Sequence, residues 1–245
     1  INYPSSDSIG FFTSNSGTVK NLGVENVNVT GSNFVGGLAG SNNGSIMNSY
    51  TTGAVSGGGQ NVGGLVGYNW DDGTIKNSHA TGAVYGDNDY VGGLVGWNYG
   101  GHIATCYATG NVTADNARSN IGGLVGWNYS GGNISNCYAA GNVGELNYRV
   151  GGLVGWNNYG NIRNCYASGN VDGIHSLGGL IGHNSGSVSN SYWDIETTGQ
   201  TSDDSDGAIG KTTTEMMKQS TYTDWDFVNI WNIDEGVTYP YFRPQ

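Results

Sequence analysis

Residues 122–143 read GGLVGWNYSGGNISNCYAAGNV, and most positions of this stretch recur elsewhere in the 245-residue chain. Gly-Gly-Leu segments of this kind open at Gly36, Gly63, Gly92, Gly122, Gly151 and Gly178, 27 to 30 residues apart. Within a unit the spacing is tighter still. An Ile/Val slot (Ile46, Ile75, Ile103, Ile134, Ile162, Val188) is followed three residues later by Ser or Cys (Ser49, Ser78, Cys106, Cys137, Cys165, Ser191). In five units a Gly and then a Val come next, from Gly53 and Val55 to Gly169 and Val171. Unit length varies only after the GLxGxN segment and after that Val, which places the insertions on two edges of a stack. Each unit holds three short extended segments, such as GGLVGWN, ISNCYAA and GNV, and none shows the 3.6-residue period of a helix. One such unit cannot bury a core, whereas stacked units can. The period predicts an all-β, right-handed parallel β-solenoid of about seven coils, ~4.8 Å per coil. Residues 1–35 form a degenerate N-terminal coil in this reading, 36–198 the regular repeats and 199–245 a C-terminal capping segment.

Composition excludes several alternatives. The 45 Gly follow no G-X-Y period and there are only 3 Pro, so the chain is not collagen-like. With 11% charged residues and 7 Trp, 16 Tyr and 5 Phe, it does not read as disordered. No apolar run approaches the ~18 residues of a membrane span, and the start at Ile1 reads as a processed or excised piece of something larger. A net charge of -11, with eight scattered Lys and Arg, argues against nucleic acid as a partner. Three Cys without a CxxC pair or a Cys/His cluster point neither to a disulfide framework nor to zinc.

The first unit reveals which slots face inward. Aligning Asn15 with Asn42 puts Phe11 in the Leu slot, Val19 in the Ile slot, Leu22 in the Ser/Cys slot and Val24 in the Ala slot after it. Apolar residues in the last two slots mark both as inward. The residue between them (Tyr50, His79, Tyr107, Tyr138, Tyr166, Tyr192) then faces outward. From Leu38 the same alternation sends Tyr68, Trp97, Trp127 and Trp156 outward, with Val66, Val95, Val125 and Val154 on the same face as an apolar stripe. The Asn after each aromatic (Asn69, Asn98, Asn128, Asn157) then points inward or into the turn, suited to a ladder of side-chain amides. Tyr68, Trp97, Trp127 and Trp156, with Tyr107, Tyr138 and Tyr166, are the candidate ligand-binding residues, where sugar rings could stack. The alternative is that these rings only stabilise adjacent coils or lie under the tail. The tail itself, with Trp225, Phe227, Trp231, Tyr239, Tyr241 and Phe242, reads as an aromatic plug for the open end, after a short helix within 212–219.

The six in-register segments from Gly37-Leu38-Ala39-Gly40 to Gly179-Leu180-Ile181-Gly182, with the Asn-Cys-Tyr-Ala-x-Gly-Asn-Val run, resemble the GLUG motif. The resemblance covers roughly residues 9 to 198. It implies a repeat module of large secreted or surface-anchored bacterial and archaeal proteins, adhesins among them, and it brings no catalytic residues.

Other chemistry is sparse. Loop acids (Asp87, Asp89, Asp115, Glu145, Asp172) gather on one edge, where two carboxylates with Arg118 or Arg149 could serve a glycosidase. Asp204 and Asp206 are weak candidates for a structural Ca²⁺, without an EF-hand's downstream Glu. No other cofactor is implied. Cys106, Cys137 and Cys165 share one inward slot and read as buried free thiols. GAIGKT at 207–212 lacks the first Gly of a phosphate loop, since Ser205 stands there. The four His read as surface residues. Of the sequons, Asn28, Asn43, Asn111, Asn128 and Asn133, several are expected by chance. The Thr file that ice binding needs is broken (Thr52, Thr81, Thr109, then Ala140 and Ser168). These features lead to a non-enzymatic, extracellular adhesion or stalk module, secreted or at the cell surface. Its partners are glycans or surface proteins, with self-association possible. The alternatives are a polysaccharide-degrading β-helix enzyme and a structural spacer or fibre subunit.

Overall fold

In the computed structural model, which describes residues 1–115, 120–144 and 148–244, the chain winds into a parallel β-solenoid. One coil shows the plan: strands Val62–Gly63, Val66–Trp70, Thr74–Lys76, His79–Ala80 and Val84–Gly86, after which Val91–Gly92 begins the next. Two of the sheets so formed have seven strands each, a third has six, and the largest also takes in Ala208–Lys211 from beyond the repeats. Pairing is in register from coil to coil: Val66, Val95, Val125 and Val154 form one file, and Ile46, Ile75, Ile103, Ile134 and Ile162 another.

The core has two lobes. Leu38, Leu65, Leu94, Leu124, Leu153 and Leu180 meet the Ile file and the Ser/Cys and Ala slots in the larger one. Val55, Val84, Val112 and Val143 face Val62, Val91, Ile121 and Val150 in the smaller. Glycine makes the waist between the lobes. A Cβ on Gly63 would land on the Val66 carbonyl oxygen, and one on Gly67 would meet the Phe34–Val35 backbone at about 2.5 Å. Two strand segments therefore approach backbone to backbone, which only Gly permits. This fixes the glycines of GGLVG.

The waist also corrects the expected apolar stripe. Val66, Val95, Val125 and Val154 are completely buried in the larger lobe beside Leu65, Leu94, Leu124 and Leu153. Leu65 lies in the bend between two strands, and the ladder pairs Val66 and Tyr68 while skipping Gly67, so the alternation restarts there. In the first coil, Phe12 rather than Phe11 supports the core: Phe12 pairs with Ala39 and packs inward, and Phe11 is exposed. Val19, Leu22 and Val24 do pack against the core.

Two amide files run along the coils. Asn15, Asn42, Asn69, Asn98, Asn128 and Asn157 each donate Nδ2 to the Oδ1 of the next coil's Asn at 2.7–2.8 Å, and the file ends at Asn184, which accepts from Asn157 and donates to the Gly186 carbonyl. The second sits at the corner before the Ser/Cys slot, where Asn21, Asn48, Asn77, Asn136, Asn164 and Asn190 adopt φ of 46 to 55°. Asn tolerates this left-handed backbone because its short side chain bonds locally. Ser49 Oγ and Cys106 Sγ alike donate to the carbonyl two residues earlier, so Ser and Cys interchange in that slot. All three Cys are free and buried.

The end of the stack is covered differently from the expected aromatic plug. Trp193 takes the Ala slot and lies over Gly179. Upward-pointing N–H groups of the last coil find acceptors in the segment that follows: Gly179 on the Ser202 carbonyl, Leu180 and Ile181 on Asp203, Asn184 on Asp204. A short helix α1 (Ile195–Thr198), N-capped by Asp194, and α2 (Thr213–Met216), with a Thr212/Glu215 capping box, complete the turn back. GAIGKT is thus mostly strand. The aromatic tail lies not on the end but along the side of the rod.

Candidate functional site

The candidate aromatics form two files, and the geometry of each decides what it can contact. Tyr68, Trp97, Trp127 and Trp156 stand in register, with centroid separations of 4.8, 4.8 and 5.1 Å. The Trp rings lie within 13° of parallel, so each ring's faces meet the rings of neighbouring coils. Neighbours close the flanks as well. Phe34 lies against Tyr68, Tyr90 stacks on Trp127 at 4.6 Å, and the Arg149 guanidinium sits 4.6 Å over Trp156, held by Asn120. The indole N–H groups of Trp97, Trp127 and Trp156 are shut in without an acceptor among the described residues. Burial raises the Tyr68 and Tyr90 hydroxyl pKa values.

A second aromatic row, two residues on, escaped the sequence reading. Trp70, Tyr99 and Tyr129 follow Tyr68, Trp97 and Trp127 in register, half-exposed beside them, with Trp127 and Tyr129 4.9 Å apart. The signal was present as the aromatic that directly follows Asn69, Asn98 and Asn128.

The other file is Tyr50, His79, Tyr107, Tyr138 and Tyr166, with rings 4.4–5.0 Å apart and within 7° of parallel. His79 is one of its members rather than a plain surface residue, and burial lowers its pKa. The tail covers the far half. Trp225, Trp231, Tyr222 and Met216 form a buried cluster with Tyr166 and Tyr192, and Phe242 lies on Tyr107 and Tyr138. Tyr166 donates to the Pro240 carbonyl, Trp225 to that of Asn190, and Tyr239 to the Asp194 carboxylate. Burial drives the Tyr138 and Tyr166 hydroxyl pKa values far up, and Tyr239 is raised to about 12 by burial and Asp194. Tyr166 therefore faces the tail rather than solvent, and Tyr138 is largely covered. Tyr107 stands at the boundary.

The acids are engaged structurally. The Tyr85 hydroxyl donates to Asp115 at 2.7 Å and also bonds Asp87, which raises its pKa strongly. Asp172 accepts from Gly173 within its own loop. Arg118 and Glu145 lie outside the described residues, and Arg149 is committed to Trp156 and Asn120. Asp204 pairs with His183 at 2.8 Å while accepting from Asn184, and Asp206 is exposed in the same loop. Among the described residues no three His, Cys, Asp or Glu gather in a metal-binding arrangement. Asn128, the acceptor residue of one sequon, is fully buried in the amide file.

Comparison with known proteins agrees with the coil plan. The pattern of the family described as "The GLUG motif" matches four times, at residues 58–85, 87–113, 117–144 and 147–172. A "Putative Gly-rich membrane protein" of Evansella cellulosilytica is 38% identical over 101 residues, which cover 38% of this chain and 11% of that protein. "Halomucin" of Haloquadratum walsbyi is 44% identical over 69 residues, 27% of this chain and 1% of that protein. The chain thus matches a small part of either relative. Among the described residues no helix is long and apolar enough to cross a membrane. Each matched stretch spans about one turn of the solenoid, and this chain is a GLUG-motif repeat protein.

Proposed function

We propose that the chain is a non-enzymatic, surface-associated stalk and contact module, secreted or held outside the cell. It acts as a stiff rod that presents aromatic flanks to glycans or surface proteins. The observation that carries this reading is the in-register stack itself, in which amide and aromatic files brace every coil and place rings along the outside. The names of the relatives, a membrane protein and a halomucin, support a surface setting, and their much greater length supports a module within something larger. Trp70, Tyr99 and Tyr129, half-buried like the Trp file, are the better contact candidates, because the polar N–H groups of Trp97, Trp127 and Trp156 are shut in.

An array of glycans and extracellular proteins tests the proposal. Binding to a defined class, lost in Tyr99→Ala/Tyr129→Ala while the melting curve keeps its shape, supports it. Equal binding by the two forms shifts the contact elsewhere, and release of reducing ends from any polysaccharide overturns the non-enzymatic reading. Trp127→Ala is the companion variant. Removing one ring from the stack lowers stability by about 3 kcal/mol, measured by urea unfolding, and unchanged stability would show that the stack does not brace the coils.

A further inference from the structure

The Tyr file changes character halfway along. The tail covers it as far as Tyr107, where Phe242 lies 6.1 Å from the Tyr107 ring and 5.4 Å from that of Tyr138. Beyond Phe242 the file continues through His79 and Tyr50 as the floor of a groove of about 430 Å³, walled by Asn48 and Asn77. That volume falls within the roughly 300–1,000 Å³ of sites that enclose small ligands.

The covered half shows what such a floor accepts. Rings stacked face to face present their edges, which carry partial positive charge and attract ring faces and carbonyl oxygens. Both partners occur under the tail. Phe242 and Trp231 meet Tyr107, Tyr138 and Tyr166 at tilts of 48 to 52°, and the Tyr166 hydroxyl donates to the Pro240 carbonyl. From Tyr239 beside Tyr166 to Phe242, which sits 5.4 Å from Tyr138 and 6.1 Å from Tyr107, the tail advances between one and two coils in three residues. An extended chain advances about 10 Å in three residues, which is the depth of two coils. The pitch of a strand-like peptide therefore matches the file. A sugar ring instead packs on an open ring face, and here none is open: Tyr107 and Tyr50 cover His79, and Tyr50 rests on Gly23.

We propose that the groove over Tyr50, His79 and Tyr107 docks an extended polypeptide segment bearing aromatic side chains, continuing the interface that the tail makes on the same file. This narrows the contact role proposed above to one face and one class of partner. The probe is the capped peptide Tyr-Pro-Tyr-Phe-Arg, titrated into the full chain while the His79 ring resonance is followed by NMR. The controls are the same peptide with Leu at its third and fourth positions, and maltohexaose. The aromatic peptide is expected to move the His79 signal to saturation, with the Leu peptide about tenfold weaker. A bulky maleimide on Asn21→Cys, an exposed groove position in a protein whose own thiols are buried, is expected to abolish the shift. No shift with the aromatic peptide, equal affinity for the Leu peptide, a shift that survives the maleimide, or a shift from maltohexaose alone overturns the proposal. Should the peptide fail while the array still reports binding at Tyr99 and Tyr129, the contact role stands and this docking site does not.

Discussion

Thr105 stands at a corner where the neighbouring coils carry Asn. It adopts φ 54°, a left-handed conformation that a β-branched residue resists. It also interrupts the second amide file: Asn77 donates to Asn48 and Asn164 to Asn136, but Asn77 Oδ1 is buried with no donor. Thr105→Asn is expected to relieve the backbone and complete the file, raising stability by about 1–2 kcal/mol. The melting temperature then rises by several degrees; an unchanged or lower value would show that the corner is not strained. Asp203 makes the opposite kind of compromise. Burial raises its pKa to about 6, although Leu180, Ile181 and Ser205 all donate to it. A carboxyl with a folded-state pKa above its unfolded value contributes stability below about pH 4, and this is lost as pH rises through about 6. Asp203→Asn is expected to be the more stable form at pH 7.5, by up to about 3 kcal/mol, and to lose that lead at pH 4. Equal melting at both pH values would show that the charge is not destabilising.

At the scale of elements, the repeat spacing revealed the coils because one face of each strand must be apolar and coils must match in register. The inward Ile, Ser/Cys and Asn slots were legible for that reason. Other features depended on backbone geometry that side-chain alternation does not report. Val66 and Leu65 are adjacent yet both buried, because the chain creases at glycines whose close approach no single strand reveals. Only the coordinates show that the tail doubles back, since Trp231 meets Asn136 across 95 residues of sequence. The alternation turned the aromatic candidates away from the coil interior, yet Tyr166 is buried beneath the tail. What covers them was not legible, because stacked rings and a lateral tail both arise from long-range packing. Trp231 anchors that tail, fully buried against Tyr138, Tyr166, Trp225 and Phe242. Trp231→Ala is expected to cost about 3–5 kcal/mol and to free the tail to proteases before the coils unfold. With the cover gone, Tyr138 and Tyr166 should ionise at lower pH, toward the usual ~10. Tail and coils that become cleavable together, with no change in tyrosinate absorbance, would contradict this.

For the whole molecule, charge contributes little cohesion. Among the described residues Lys211 with Glu215 is the one Lys or Arg ion pair and His183 with Asp204 is an ion pair only when the imidazole is protonated, both partly exposed, against a net charge of -11. Salt screens the self-repulsion more than it weakens attraction. Raising it from 0.1 to 1 M, which shortens the screening length from about 10 to about 3 Å, is expected to hold or raise the melting temperature. A fall of several degrees would mean that attraction between charges outweighs their repulsion. The doubled-back tail has a further consequence during synthesis. The coils that carry Tyr107, Tyr138 and Tyr166 leave the ribosome before the tail does, so those turns must persist with their tyrosines wet until Tyr222 to Phe242 emerge and latch over them. Truncation from the carboxyl end should then harm production far more than removal of the first coil.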